Sequence, residues 1–174
     1  GLVDLHGKSL TEKPEGFIDK DEVPPAWHYL VNPGSSITGR CMIEGNSLTV
    51  LHNGEAAYPV MLKAISEARE RVFLSSFIFG YDEVGKSFAA ALRAAAERGC
   101  DVRLLMDGVG SFHLWPSWRK RLGPDVKLAY FLPPRLIPPQ FSINLRTHRK
   151  VLICDGETGF TGGMNISQNH LANL

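Results

Sequence analysis

The sequence predicts an α/β fold in which helices flank both faces of a largely parallel sheet. Three observations predict it. Short apolar runs of strand length (Val72–Phe79, Val102–Met106 and Val126–Phe131) alternate with longer segments whose apolar residues recur at helical spacing. The runs show little polar alternation, as expected of strands covered on both faces. Gly, Asn and Asp stand at the junctions, where turns and helix ends need them.

Each element follows in order. Residues 1–44 read as an irregular arm or linker, because Pro14, Pro24, Pro25 and Pro33 interrupt any period. Trp27, Tyr29, Leu30 and Val31 are its candidates for anchoring to a core. Residues 45–174 carry the regular structure. Ser47–Leu51 reads as a short strand, and Asn53 as the cap of a helix with Pro59 in an early turn. Ala57, Val60, Met61, Ala64, Ile65 and Ala68 form the apolar stripe of that helix. A second helix spans about Val84 to Arg98, with Phe88, Ala91, Leu92 and Ala95 inward and Gly99 as its stop. A short helix is expected within Trp115–Leu122. The proline-rich loop 133–141 then leads into the last strand, around Val151–Ile153. Leu136 and Ile137 lie between its proline pairs, where a packed surface loop or contact with acyl chains is expected.

Composition narrows the function. The 174 residues include 19 Lys and Arg against 18 Asp and Glu, a formal net charge of +1, so bulk electrostatics does not nominate nucleic acid as partner. Cys41, Cys100 and Cys154 are odd in number and lack metal-ligand spacing, and the last two fall in expected core strands as buried free thiols, which suits a reducing compartment. His6, His28, His52, His113 and His170 show no ligand pattern either, and no metal or cofactor is expected. No apolar run is long enough to span a bilayer.

The chemistry concentrates in Thr147–Asp155. His148, Lys150 and Asp155 are spaced His-x-Lys-x4-Asp, and Gly162-Gly163-Met164-Asn165 follows. In extended backbone alternate side chains share a face, so His148 and Lys150 point the same way. An imidazole beside a fixed cation suits a phosphate. The ammonium neutralises non-bridging oxygens while the imidazole attacks phosphorus or protonates a leaving oxygen. Asp155-Gly156 is a turn signal, and Gly159–Asn165 is expected to return beside the strand, bringing Asn165 to the pocket as an uncharged donor. Gly162 and Gly163 permit tight packing or let backbone N–H groups approach a phosphate. Asp107-Gly108-Val109-Gly110 reads as a tight turn near the site, and His170 as a residue beyond the pocket.

This string resembles the signature of the phospholipase D superfamily. Asn53–Ile65, Phe77–Phe79, Asp82–Gly85, Asp107–Ser111 and Arg146–Lys150 are further similar to the amino-terminal half of bacterial cardiolipin synthases. The resemblance runs from about Gly45 to Asn169. It implies a phospholipase D-like sandwich that is one half of a pseudo-two-fold pair, with the active site where the two halves meet. It implies a phosphatidyltransferase or phosphodiesterase acting through a phosphohistidine, without metal or cofactor, on a phospholipid such as phosphatidylglycerol. His148, Lys150 and Asp155 become catalytic-motif residues, and Lys150, Gly163 and Asn165 the phosphate-binding set. In that family the aspartate supports the fold and a histidine's hydrogen bonding, while the bare residues also fit a simple turn before Gly156. The expected setting is the cytoplasmic side of a membrane, at its surface. Only one motif is present and the chain ends nine residues after Asn165, so it is expected to be an incomplete half. The rival expectations are a homodimeric single-motif nuclease and a non-catalytic phosphate- or lipid-binding half.

Overall fold

The computed structural model describes residues 17–18, 22–38, 42–111, 117–133, 135–136, 139–140 and 146–172. The chain divides into two compact units, Gly1–Val50 and Leu51–Leu174. The first pairs β1 (Phe17–Ile18) antiparallel with β2 (Met42–Ile43) and carries helix α1 (His28–Thr38). An irregular arm was expected there, but the helix forms with Pro33 inside it. Proline removes one hydrogen bond without removing the rest of a turn. Trp27, Tyr29 and Leu30 are exposed rather than anchored in a core. Residues 47–51 pair with no strand, and Leu48 and Val50 are exposed, so the strand expected at Ser47–Leu51 is absent.

The second unit consists of α2 (Asn53–Glu67), β3 (Arg71–Ser76), α3 (Glu83–Glu97), β4 (Asp101–Asp107), α4 (Trp118–Leu122), β5 (Lys127–Phe131), a small hairpin β6 (Arg135–Leu136) and β7 (Pro139–Gln140), then β8 (Val151–Cys154) and β9 (Thr158–Thr161). Asn53 is the first helical residue of α2 rather than its cap. It sits at φ 59°, and His52 in the cap position makes no side-chain cap bond. Asp82 does cap α3, accepting from the Gly85 N–H at 2.9 Å. Gly99, at φ +97°, supplies the left-handed residue that stops the same helix. Of the residues expected in the short fourth helix, 115–116 lie outside the described residues.

The sheet order is β5-β4-β3-β8-β9. β3, β4 and β5 run parallel, whereas β8 is antiparallel to β3 and β9 antiparallel to β8. The sheet is therefore mixed, not largely parallel. Parallel neighbours need a crossover helix, supplied by α3 and α4, but β8 and β9 are joined by the tight turn at Asp155-Gly156.

Alternate residues of β3, β4 and β8 (Val72 and Leu74, Val102 and Leu104, Leu152 and Cys154) are buried against Tyr58, Ile65, Phe88, Leu92, Trp118 and Leu122 from the helices. Tyr58 is buried where Val60 was expected, and Val60 is exposed. Phe88 meets Tyr58 edge-on at 5.6 Å, and Phe79 meets Trp118 at 4.8 Å. Each fully buried side chain of this size contributes roughly 1.5–3 kcal/mol. The described helices of this unit all pack on that one face. Helices on both faces were expected, but the opposite face mixes Phe73 and Leu105 with Arg103 and Lys127 and is at least partly exposed. Cys100 and Cys154 are buried free thiols, as expected, while Cys41 lies outside the described residues.

Candidate active site

The direction of β8 decides where the motif falls. Because β8 runs against β3, its start meets the carboxyl-terminal end of β3, and its end meets the start of β3. The carboxyl-terminal ends of β3 and β4 thus share one edge with the entry to β8. Crevices at the carboxyl ends of parallel strands are where α/β sheets bind ligands.

His148 and Lys150 lie at that edge, just before the first residue of β8. The exposed His148 imidazole sits 4.5 Å from the Phe77 ring, tilted by 42°. The Lys150 ammonium lies over the same ring at 5.5 Å and donates to the His148 carbonyl at 2.9 Å. The expected shared face is therefore real, with Phe77 as its floor. His148 also borders a cleft of ≈ 1130 Å³ along the partly exposed sheet face, lined by Phe73, Leu105, Phe131 and Arg146 but not by Phe77, Lys150 or Asn165.

Asn165 reaches the same edge from the other side. β9 lies beside β8, so the chain after Thr161 returns past the end of β3. The Asn165 Oδ1 accepts from the Ile78 N–H at 3.1 Å, one residue beyond Phe77. Its backbone is pinned as well. The Tyr58 hydroxyl lies 2.8 Å from both the Asn165 and the Ser167 carbonyls and shares its one proton between them, and the Asn165 N–H donates to His170 Nε2 at 3.1 Å. Burial, followed by smaller contributions from nearby acids, holds the Tyr58 phenol above its ordinary pKa despite the Ser167 contact, so it stays a donor. His170 was expected beyond the pocket but supports Asn165 directly. Spacing on the chain could not reveal this, because a short helical turn at Gln168–His170 folds the ring back. Gly162 and Gly163 are exposed, and a Cβ on either would meet nothing within 4 Å. Tight packing therefore does not explain them.

Asp155 is not brought to this group. It lies at the other end of β8, on the order of 20 Å away at strand rise. Its carboxylate accepts the N–H groups of Arg69, Glu70 and Arg71, each at 2.9 Å, while its own backbone takes φ 56°. These backbone donors, Arg71 foremost, hold the carboxyl below the ordinary aspartate pKa. Beside it, burial pushes the Cys154 thiol up to about 11. Among the described residues no cluster of His, Cys, Asp and Glu is arranged to hold a metal ion. Leu132 and Pro133 aside, the side chains of loop 132–141 lie outside the described residues, and with them the expectation for Leu136 and Ile137.

Similarity to known proteins agrees with this geometry. Residues 61–173 match the family model described as cardiolipin synthase, PLD-like domain. The chain is 42% identical over 131 residues to cardiolipin synthase B of Escherichia coli (strain K12), covering 74% of this chain and 32% of that protein. It is 37% identical over 131 residues to the major cardiolipin synthase of Bacillus subtilis (strain 168), covering 74% of this chain and 27% of that one. It therefore spans about a third of the length of the curated relatives it matches. In fold it is similar to NUC of Salmonella typhimurium, a phospholipase D family member, with a TM-score of 0.54, 22% identity, and coverage of 74% of this chain and 77% of that one. NucT from Helicobacter pylori also gives 0.54, at 24% identity, covering 69% and 73%. The mixed sheet with its flanking helices is thus a phospholipase D-like fold. The chain belongs to the family of cardiolipin synthases with a PLD-like domain.

Proposed function

We propose that the protein carrying this chain is a cardiolipin synthase-like phosphatidyltransferase whose site is completed by a second histidine–lysine motif. The observation that supports this most is the pair His148 and Lys150, side by side on Phe77 at the carboxyl-terminal end of β3, in a chain 42% identical to a cardiolipin synthase over 131 residues. Residues 45–174, which contain the compact unit bearing the motif, form the catalytic half.

The chemistry follows from the groups. One imidazole of the completed pair attacks the phosphorus of phosphatidylglycerol. A P–N bond forms, the P–O bond to glycerol breaks, and the opposite imidazolium protonates the departing alkoxide. The primary hydroxyl of a second phosphatidylglycerol then gives its proton to that neutral imidazole and attacks phosphorus, breaking the P–N bond. Water in its place gives hydrolysis. Lys150 neutralises the non-bridging oxygens, worth about 10²–10³ in rate for a preorganised donor. Asn165 has its oxygen committed to Ile78, so its amide NH2 is the end that donates to phosphate. Exposed Gly163 lets a backbone N–H approach the same oxygens. Asp155 acts at a distance, by fixing the hairpin that carries Asn165.

The reaction belongs at a membrane surface, on its cytoplasmic side. No helix among the described residues is long and apolar enough to cross a membrane. The decisive experiment incubates the intact protein with phosphatidylglycerol labelled at phosphorus. Cardiolipin and an acid-labile label on histidine are expected, and both should vanish in His148→Ala if His148 is the nucleophile. A His148→Ala enzyme that still traps label while turnover collapses would make His148 the acid. Cleavage of single-stranded DNA by a dimer, with no phosphatidyl transfer, would replace this reading with that of a single-motif nuclease.

A further inference from the structure

We propose that Asp107 is a positioning residue for His148, acting through a buried carboxylate that ties the chain entering β8 to the end of β4. The inference rests on the role proposed above for His148 and adds what holds the imidazole in place.

Asp107 is 0% exposed. A carboxylate with no access to water is costly unless its lone pairs are filled. Here Oδ1 accepts from the Val109 N–H at 2.9 Å, the Gly110 N–H at 3.1 Å and the Arg146 guanidinium at 3.4 Å. Oδ2 accepts from the Thr147 N–H at 3.3 Å. Half of these donors lie in its own turn. The other half belong to the two residues directly before His148. Arg146 itself is nearly buried, and its guanidinium also donates to the Leu132 carbonyl at 2.9 Å, so the loop after β5 joins the same knot.

The turn that Asp107 closes also builds the other side of the histidine site. A Cβ on Gly110 would come within 2.5 Å of the Phe77 carbonyl, so only glycine fits there. The next residue, Ser111, donates to that same carbonyl at 2.9 Å and accepts from the Phe79 N–H at 2.9 Å. One carboxylate therefore fixes both partners of the ring contact, His148 through Thr147 and Phe77 through Gly110 and Ser111. An imidazole that must line up with phosphorus gains from such support, since misplacement by about 1 Å costs on the order of 10²-fold in rate.

Asp107→Asn separates the two halves of the device. The amide oxygen still serves the turn, but the amide NH2 then faces the Thr147 N–H, donor against donor. In the full chain, NMR should show the Phe79 and Trp118 rings still packed together and the His148 ring moved away from Phe77. Exchange of the Thr147 amide should be at least tenfold faster. In the intact enzyme acting on phosphatidylglycerol, kcat should fall by more than tenfold while KM stays within threefold. Unchanged His148–Phe77 packing and Thr147 exchange would overturn the proposal, as would a raised KM with normal kcat. Should Asp107→Asn not fold, Arg146→Met is read by the same ring and exchange measurements, with the same expected and overturning results. If the wild-type enzyme transfers nothing from phosphatidylglycerol, the functional reading fails, and the ring and exchange measurements still decide the positioning role.

Discussion

The two ends of strand β8 carry residues of the same motif, yet they differ in how their polar groups are used. At one end the His148 ring is exposed on Phe77, and the Lys150 ammonium commits one hydrogen bond to a neighbouring carbonyl. At the other, Asp155 accepts three backbone N–H groups from the start of β3. Both ends border a recess, ≈ 1130 Å³ beside His148 and ≈ 710 Å³ beside Asp155, so concavity does not tell them apart. Bonding does. On the function proposed above, a group already saturated by backbone donors serves the fold, while groups held in place with donors and acceptors to spare serve chemistry.

Changes at the His148 end should strike turnover first. His148→Ala is expected to remove transfer by at least about 10³-fold, since an alanine offers neither a nucleophile nor a proton donor at that position. Its melting temperature should match that of wild type, because the ring is exposed. A variant that keeps turnover within a few-fold would erase the distinction between the ends. Lys150→Ala comes next, at about 10²-fold in kcat. Lys150→Arg keeps the charge but replaces a compact ammonium by a planar fork, and steady-state kinetics should place it between the two.

The Asp155 end should show the reverse pattern. Asp155→Asn retains a residue that tolerates φ 56° but loses the charge that binds Arg69, Glu70 and Arg71. We expect a loss of about 1 kcal/mol in urea unfolding, comparable to the loss of a helix cap at a solvated site. Transfer at temperatures where the variant is folded should stay within a few-fold of wild type. A thousandfold loss of transfer with unchanged stability would make Asp155 a chemical residue after all.

The smallest effect concerns acid. The Asp155 pKa is lowered in the folded protein, so its contribution is fully present above the ordinary aspartate value of about 3.9. That contribution is lost as pH falls from there through the folded value. Stability curves measured from pH 5 downward should therefore fall less steeply for Asp155→Asn than for wild type. Parallel curves would show that the three N–H bonds do not favour the charged form.

Much of this division is legible along the chain. The spacing of His148, Lys150, Asp155, Gly163 and Asn165 points to phosphoryl chemistry, and backbone alternation correctly puts His148 and Lys150 on one face. Helices around Phe88 and Leu92 are legible because their apolar periodicity is local. The mixed sheet is not, since strand direction depends on pairing partners that lie far apart in sequence, as Val72 and Cys154 do. Helix α1 is hidden by its proline, and His170 by a turn that no periodicity announces.

The sequence by itself determined which side chains are proposed to carry the chemistry, because residue type and short-range spacing set reactivity and shared faces. Only the tertiary structure decided which of them meet. Antiparallel pairing of β8 with β3 sends His148 to Phe77 and Asp155 to Arg69–Arg71, so motif residues seven apart end at opposite edges of the sheet. It also buried Asp107 beneath the entry to β8, turning what reads as an ordinary turn aspartate into the anchor of Arg146 and Thr147. A carboxylate's role depends on the donors that surround it, and here those donors arrive from a segment about forty residues away.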